Sequence, residues 1–524
     1  MLRVTDLGRR HFDPNVQTKT AYTEMPCARS HRRDRRVQRV MLISPPATLY
    51  RADLPRCTYP LGLGYLAAVL EQADYDVAIL DCLVEGYYTQ AEASGDADFI
   101  TYGIGEEEIA RRIAKFSPDV VGVSSIFSNQ SDAIAAVFRA ARRSAPNALL
   151  VTGGAHARYF PHHYLQSFAL DAVFLGEAEA AIVDYLDFVN GAAAADDLAS
   201  VLARTADGII EADDMALIRR KHRNADGHWA DIDHIPFPAW HLYNMEAYFQ
   251  IGAYQSPYTL GSRVGQIYTS RGCTAKCTFC TTTNFWGGKL RRRSPANVAA
   301  ELHCLIDRYG IDEFHVQDDN ITNDQQHAKA LFQRLAEFKL PWCTPQGTAL
   351  WRMDEQLLDL MAEAGCYQVT FAIESASQRV LDELIRKPLN LARTQNLVRY
   401  ARSIGLSVHG FFIIGMPPMF GFTGETKEEM WSSFEFAQGA GFSSASFFTA
   451  TPIVGSVLLD ECLRQGFVSQ ETPLYRMSYK QGLIDVPGLW EGREIASLAA
   501  HFNQAFNEGR CERVTSRSWS AQQY

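Results

Sequence analysis

A chain of 524 residues, 47% hydrophobic and 21% charged, has globular composition and length for several packed domains, which excludes a disordered or fibrous protein. Its formal net charge of −10 argues against a general nucleic-acid binder, because neutralising phosphates needs a basic face. Eleven cysteines at irregular spacings do not make a disulfide framework, and with no apolar signal segment at the start they point to a reducing, cytoplasmic compartment.

In chain order, residues 1–37 form a basic tail. The stretch 1–39 holds ten Lys/Arg against four Asp/Glu, expected as a solvated, flexible arm or as a contact for a partner or RNA. From 38 to 192, short apolar runs alternate with helical patterns. The runs are RVMLIS, YDVAILD, DVVGVSSIF, ALLVTGGAH and AVFLGE, and patterns such as LGYLAAVLEQA separate them. Such alternation predicts a doubly wound, Rossmann-like parallel sheet, whose ligands sit beyond the carboxyl ends of the strands. The residues there are Ser124, Ser125, Gly153, Gly154, Gly176 and Glu177. Their glycines either let a bulky ligand approach the backbone or simply make turns. No Gly-x-Gly-x-x-Gly follows the first run. Ser-Pro-Pro stands there instead, and proline offers no N–H to a phosphate.

Residues 193–260, with an Ala-rich break and the Pro- and aromatic-rich DIDHIPFPAWHLYN, read as an ordered connector. A second alternation fills 261–490, with the strand-like runs GQIYTS, EFHVQD, PWCTPQGTA, YQVTFAIE, SVHGFFIIG and SASFFTATP. Six such units suggest a partial (β/α)6 barrel with its chemistry at the carboxyl ends of the strands. A small C-terminal extension, 491–524, closes the chain. The longest uncharged run, GLSVHGFFIIGMPPMFGF, carries two adjacent prolines and a histidine, so it reads as buried strand and loop and no membrane helix is expected.

The first strand of the second half leads into Cys273, Cys277 and Cys280, spaced C-x3-C-x2-C. Three thiolates could serve a zinc ion with a remote fourth ligand, or an iron–sulfur cluster with one iron left open. The other strand ends carry acids and polar groups: Asp318 and Asp319 after Gln317, Glu374 and Ser375 in AIES, and Gly415 in IIGMPP. Each could be a helix cap or a surface charge, but their common placement favours a site. The run GGKLRRRS puts Lys289, Arg291, Arg292 and Arg293 shortly after the cysteines, as anion contacts or as a solvated loop, and Arg352 follows the third strand.

The cysteine loop, with the aromatic Phe279 before its last cysteine, resembles that of the radical S-adenosylmethionine (SAM) enzymes. The resemblance implies a [4Fe–4S] cluster on Cys273, Cys277 and Cys280, with SAM completing the fourth iron. It also implies SAM contacts from Phe279, Asp318, Asp319, Glu374, Ser375 and Gly415. The doubly wound domain ahead of the barrel is similar to that of the cobalamin-binding branch of the family. That similarity implies cobalamin, used as methylcobalamin, near Ser124, Ser125, Gly153, Gly154, Gly176 and Glu177. The Asp-x-His-x-x-Gly signature of classical cobalamin domains is absent, so binding without a protein histidine on cobalt is expected.

A closer resemblance, over about 38–520, is to the C-methylases of fosfomycin biosynthesis. It implies methylation of an unactivated carbon, C2 of cytidylyl-2-hydroxyethylphosphonate, with the basic run and Arg352 against the anionic substrate. An electron donor such as flavodoxin or a chemical reductant is implied too, and neither nucleic acid nor membrane is an expected partner. Other products of the same cofactors, by rearrangement or by methylation of another natural-product intermediate, stay open, as does a non-enzymatic sensor.

Overall fold

The computed structural model describes residues 3–4, 36–51, 53, 55–93, 95–205, 208–212 and 232–508. The basic arm falls almost wholly outside these residues, as do the middle of the connector and the chain beyond 508.

The five apolar runs of the first half are five parallel strands, in spatial order Asp76–Asp81, Arg39–Ser44, Val120–Ser124, Leu149–Gly153, Ala172–Phe174. The order reverses between Arg39–Ser44 and Val120–Ser124, and a crevice at such a switch point is where doubly wound sheets take ligands. Two features escaped the sequence reading. Within the stretch expected to be a connector, Val201–Thr205 and Gly208–Glu211 form a hairpin that extends this sheet antiparallel to Ala172–Phe174. A separate three-stranded antiparallel sheet, Ala47–Tyr50 with Gln90–Ala93 and Asp96–Tyr102, is inserted after the first strand. Its strands are polar or short, and it buries only a small core of its own around Phe99 and Tyr475, so it leaves little hydrophobic signal.

The second half is a six-stranded, all-parallel sheet in sequential order: Val264–Ile267, Glu313–Val316, Trp342–Thr348, Cys366–Glu374, Ser407–Ile414, Ser444–Thr449. Helices Pro295–Tyr309, Gln325–Leu335, Glu355–Glu363, Leu391–Ser403 and Lys427–Ala440 cover its outer face. Ser294, Asp324, Asp354, Asn390 and Thr426 cap them through their side chains, each satisfying an N–H that the helix leaves unpaired. Phe314, Trp342, Phe371 and Phe412 are fully buried and build the outer core, each side chain contributing roughly 1.5–3 kcal/mol.

The last strand would leave an open edge. The helix Gly492–Asn507 covers it, and Asn503 and Asn507 each accept from and donate to the backbone of Phe447 and Ala445. Two side-chain amides thus replace a seventh strand.

Candidate active site

The cysteine loop lies between the short strand Ser270–Arg271 and the helix Thr282–Trp286, at the carboxyl end of the first barrel strand. Thr278, at its centre, is fixed from two sides. Its N–H donates to Ile385 O at 3.0 Å and its hydroxyl to Leu384 O at 2.7 Å, while its carbonyl accepts from Leu458 N at 2.9 Å. All three cysteines are free and half-buried. Burial raises each thiol, Cys277 to about 12.

Among the described residues, the three sulfurs do not gather within 4.8 Å of one another as a set.

Asp319 organises the same loop: its carboxylate accepts from Gly272 N at 3.2 Å and Thr282 Oγ1 at 3.3 Å. It is solvent-exposed, yet the surrounding walls desolvate it and raise its pKa. Its neighbour Asp318 has another role. That carboxylate is buried and accepts from Thr269 N at 2.6 Å, Thr269 Oγ1 at 2.5 Å and Ser270 Oγ at 2.6 Å. It pins the end of the first strand and has little capacity left for a ligand.

Glu374 ends the fourth strand at φ +72°, a conformation that costs a non-glycine residue energy, and its carboxylate accepts from Lys387 Nζ at 2.7 Å. Both side chains are buried, and Lys387 is close enough to Cys273 and Cys277 to act on their thiols. A π-helical turn, Val380–Ile385, with Arg386 at φ +61°, brings Lys387 back to this place. Nothing in the sequence pattern pairs these two residues. Ser375 is buried and accepts from Ser377 N at 3.2 Å, so it shapes the turn. Phe279 packs partly buried against the barrel core. Gly415 has φ +84°, and its N–H donates to the buried Glu425 at 2.7 Å.

The basic run divides. Arg291 is buried and donates to Glu177 of the first domain, with 2.6 Å from Nη1 to Oε2. Arg271 donates to the other oxygen of Glu177 at 2.8 Å and to Glu179 at 2.6 Å. Glu177, expected beside cobalamin, is a joint between the halves, and Arg291, expected on the substrate, is its partner there. Arg293 is buried against Glu301, the Tyr268 carbonyl and Asn297. Arg292 is exposed and paired with Asp324. Lys289 and Arg352 are exposed.

In the first domain Ser125 is fully buried. Its N–H donates to Gly153 O at 2.8 Å, its hydroxyl lies 3.3 Å from Tyr164, and its carbonyl accepts from His156 N. Gly154 has φ +118°, and a methyl group there would meet Ser125 O at 2.5 Å. These two residues therefore build the strand-end turn rather than offer free ligand groups. Ser124 and Gly153, paired across adjacent strands, and Gly176 stay half-buried at the edge. Past them Ile126 and Phe127 are exposed, as are Ile453 and Val457 after the last barrel strand. The halves also touch directly. Tyr159 lies against Gly455, whose carbonyl accepts from Asn284 at 2.7 Å. Exposed apolar side chains beside half-buried strand ends suit contact with a corrin. His156, buried between Phe160 and Tyr164 and bonded to Ser128 Oγ at 3.1 Å, is enclosed in the domain core, and burial lowers its pKa to about 3.

Residues 47–186 match a B12 binding domain, and residues 267–437 match the Radical SAM superfamily. End to end, the chain is 56% identical over 534 residues, 100% of both chains, to the cytidylyl-2-hydroxyethylphosphonate methyltransferase of Streptomyces wedmorensis. The chain belongs to the cobalamin-dependent radical SAM methyltransferases. An uncharacterised methyltransferase of Pyrococcus horikoshii is 29% identical over 425 residues, 81% of this chain and 83% of its own. In fold, the chain is similar to the radical SAM methyltransferase TsrM of Kitasatospora setae, solved with cobalamin and a [4Fe–4S] cluster. The TM-score is 0.63 at 18% identity, covering 89% of this chain and 85% of the other.

For a radical SAM methyltransferase the placement is coherent. The cysteines, Asp319 and the Glu374–Lys387 pair converge at one end of the barrel, and the B12-binding domain abuts that end through Glu177 and Tyr159. Among the described residues, no helix is long and apolar enough to cross a membrane.

A second cluster, Glu313, His315 and Cys343, lies at the opposite ends of the strands. Glu313 there accepts from Leu260 N, Gly261 N, Tyr367 OH and His315, a network that fastens the connector to the barrel.

Proposed function

We propose that this enzyme methylates C2 of cytidylyl-2-hydroxyethylphosphonate, giving the 2-hydroxypropyl product. The observation that carries the reading is the 56% identity, end to end, with a methyltransferase of that name. The residues present fit the cofactors: three unpaired thiols on one pinned loop, and exposed apolar side chains beside half-buried strand ends. When bound, a [4Fe–4S] cluster with SAM supplies hydrogen-atom abstraction and cobalamin supplies the methyl group, chemistry that an unactivated C–H bond needs.

The chain's own residues bind and orient. Cys273, Cys277 and Cys280 hold the cluster, and Thr278 holds their loop. Asp319 faces the SAM ammonium group, where a carboxylate makes a charge-assisted hydrogen bond. Gly415 passes the adenine by its backbone, and Phe279 packs behind the loop. The Glu374–Lys387 pair keeps a fixed positive charge beside the thiolates. The Tyr159–Gly455 contact and the Glu177 joint hold the two cofactor domains face to face and exclude water between them. Lys289 and Arg352 serve the phosphoryl oxygens, since Arg291 and Arg293 are already committed to buried carboxylates. A nucleotide tail adds remote binding energy that positions one C–H bond. An external electron donor, such as flavodoxin, acts from a cytoplasmic setting.

The test is anaerobic reconstitution with iron, sulfide and hydroxocobalamin, followed by mass analysis with methyl-labelled SAM. The expected result is labelled cytidylyl-2-hydroxypropylphosphonate with both S-adenosylhomocysteine and 5'-deoxyadenosine, and no methylation of the free phosphonate. A rearranged product without the label, or equal turnover of the free phosphonate, overturns the reading.

A further inference from the structure

Three glutamines meet at the mouth of the barrel. Gln346 Nε2 donates to Gln317 Oε1 at 2.7 Å and to Gln255 Oε1 at 2.6 Å. An amide nitrogen has two hydrogens, so in this arrangement both are spent. Its remaining group is the carbonyl oxygen, a pure acceptor, on a side chain that is exposed. Beside it, Gln317 is only 6% exposed, and its Nε2 has no hydrogen-bond partner among the described residues. A buried amide donor without a partner is costly, and a ligand that accepts from it removes the cost.

The backbone is bent to make this arrangement. In the strand Trp342–Thr348, Thr344 stands opposite Val369 and Thr348 opposite Phe371, so four steps of one strand match two of its neighbour. The irregularity holds Pro345, Gln346 and Gly347, the last at φ +102°. Proline gives no ladder hydrogen bond, and such bulges re-aim side chains next to active sites. Phe411 lies against Gly347: a methyl group there would meet its ring at 3.6 Å. From Phe411 a file of rings runs to Phe448, with centroids 5.5 Å apart, and to Tyr479, 5.0 Å further and exposed.

An acceptor next to an unpaired donor, with a file of rings leading from the same bulge to an exposed tyrosine, is the chemistry that reads a nucleobase edge beside a stacking plane. We propose that Gln346 and Gln317 form the cytosine subsite of this enzyme, an assignment that rests on the cytidylyl substrate proposed above. The Gln346 oxygen accepts from the exocyclic amino group of cytosine, and Gln317 Nε2 donates to the ring nitrogen beside it. Uracil presents the reverse pattern, an acceptor and then a donor, which this network meets only if the three amides turn over together. Gln255 is a positioning residue, acting through Gln346, and Tyr479 supplies a stacking face without choosing between pyrimidines.

The experiment measures binding of cytidine 5'-monophosphate (CMP) and uridine 5'-monophosphate (UMP) to the reconstituted holoenzyme by calorimetry, beside turnover of cytidylyl- and uridylyl-linked hydroxyethylphosphonate. The wild type is expected to bind CMP at least tenfold more tightly than UMP. Gln346→Leu should shrink that ratio below threefold with cluster and cobalamin absorbance unchanged, and Tyr479→Ala should weaken both nucleotides alike. Equal affinity for the two nucleotides in the wild type, or undiminished discrimination in Gln346→Leu, overturns the proposal. If methylated product forms equally from both carriers, the subsite fails while the function stands. If CMP is preferred and no phosphonate is methylated, the subsite stands and the function fails.

Discussion

Replacing Glu177 with Gln probes the joint between the halves. The Glu177 side chain is 4% exposed, Arg291 2% and Arg271 8%, so all three charges are out of water. Two guanidinium groups share one carboxylate, and Glu179, at 2.6 Å from Arg271, balances the group at two positive and two negative charges. Gln keeps the shape and one acceptor, but it takes from Arg291 and Arg271 the charge of the carboxylate they share. Two unit charges 4 Å apart at an effective dielectric constant of 20 attract by about 4 kcal/mol, and breaking a buried pair from one side costs about 3–5 kcal/mol. The expected loss is therefore about 3–5 kcal/mol, read by urea unfolding of the apoprotein. A double-mutant cycle with Arg291→Met should return a coupling above about 1.5 kcal/mol, because removing both partners leaves no stranded charge. A loss under about 1 kcal/mol, or additive effects in the cycle, would refute the assignment of a desolvated joint. Since Arg291 points at Glu177, its replacement should disturb stability before it disturbs substrate affinity.

Ala at Cys273, Cys277 or Cys280 should each abolish the cluster's visible absorbance and 5'-deoxyadenosine formation, whereas Cys304→Ala should keep both. Glu425 is buried and one of its oxygens has no partner among the described residues. Desolvation raises its pKa to about 8, against the N–H groups of Met416 and Gly415, which lower it. Folding thus favours its protonated form. The stability it contributes is complete below the unfolded value near 4.5 and falls by up to about 1.4 kcal/mol per unit as pH rises through 8. Melting curves from pH 5 to 9 should show Glu425→Gln losing less stability than wild type over that window, and parallel curves would rule the raised value out. Gly154→Ala forces a left-handed residue and a methyl group 2.5 Å from Ser125 O. It should destabilise the first domain by at least 1–2 kcal/mol in the absence of any cofactor, seen as an earlier melting transition of the apoprotein. An unchanged transition would instead mark Gly154 as a ligand contact.

The alternation of apolar runs and helical patterns was legible because each strand of a parallel sheet is buried on both faces and must be apolar along its length. The inserted sheet at 47–102 and the hairpin at 201–211 were not, because their antiparallel strands are short and carry a weak and mixed pattern. The helix Gly492–Asn507 was read only as an extension. Its role as a lid on the sheet edge depends on two asparagines meeting backbone 56 and 62 residues away.

The candidate site divides in the same way. The three cysteines needed no structure, since a cluster loop is local: residues seven positions apart on one turn must be neighbours, and their type sets the chemistry. Charged side chains are different, because the sequence gives their sign but not their partner. Asp318 and Asp319 are adjacent, yet one is tied down by Thr269 and Ser270 while the other faces solvent. Arg291, Arg292 and Arg293 are consecutive, yet they reach Glu177, Asp324 and Glu301 in three different directions, because successive side chains in an extended segment point to opposite sides. The sequence by itself determined the two domains, the cluster loop and the family. Which carboxylate is exposed, which arginine joins the domains and which glutamine is exposed were decided only by the tertiary structure. A buried charge must be paired where the fold places a partner, and that partner lies far away in the chain.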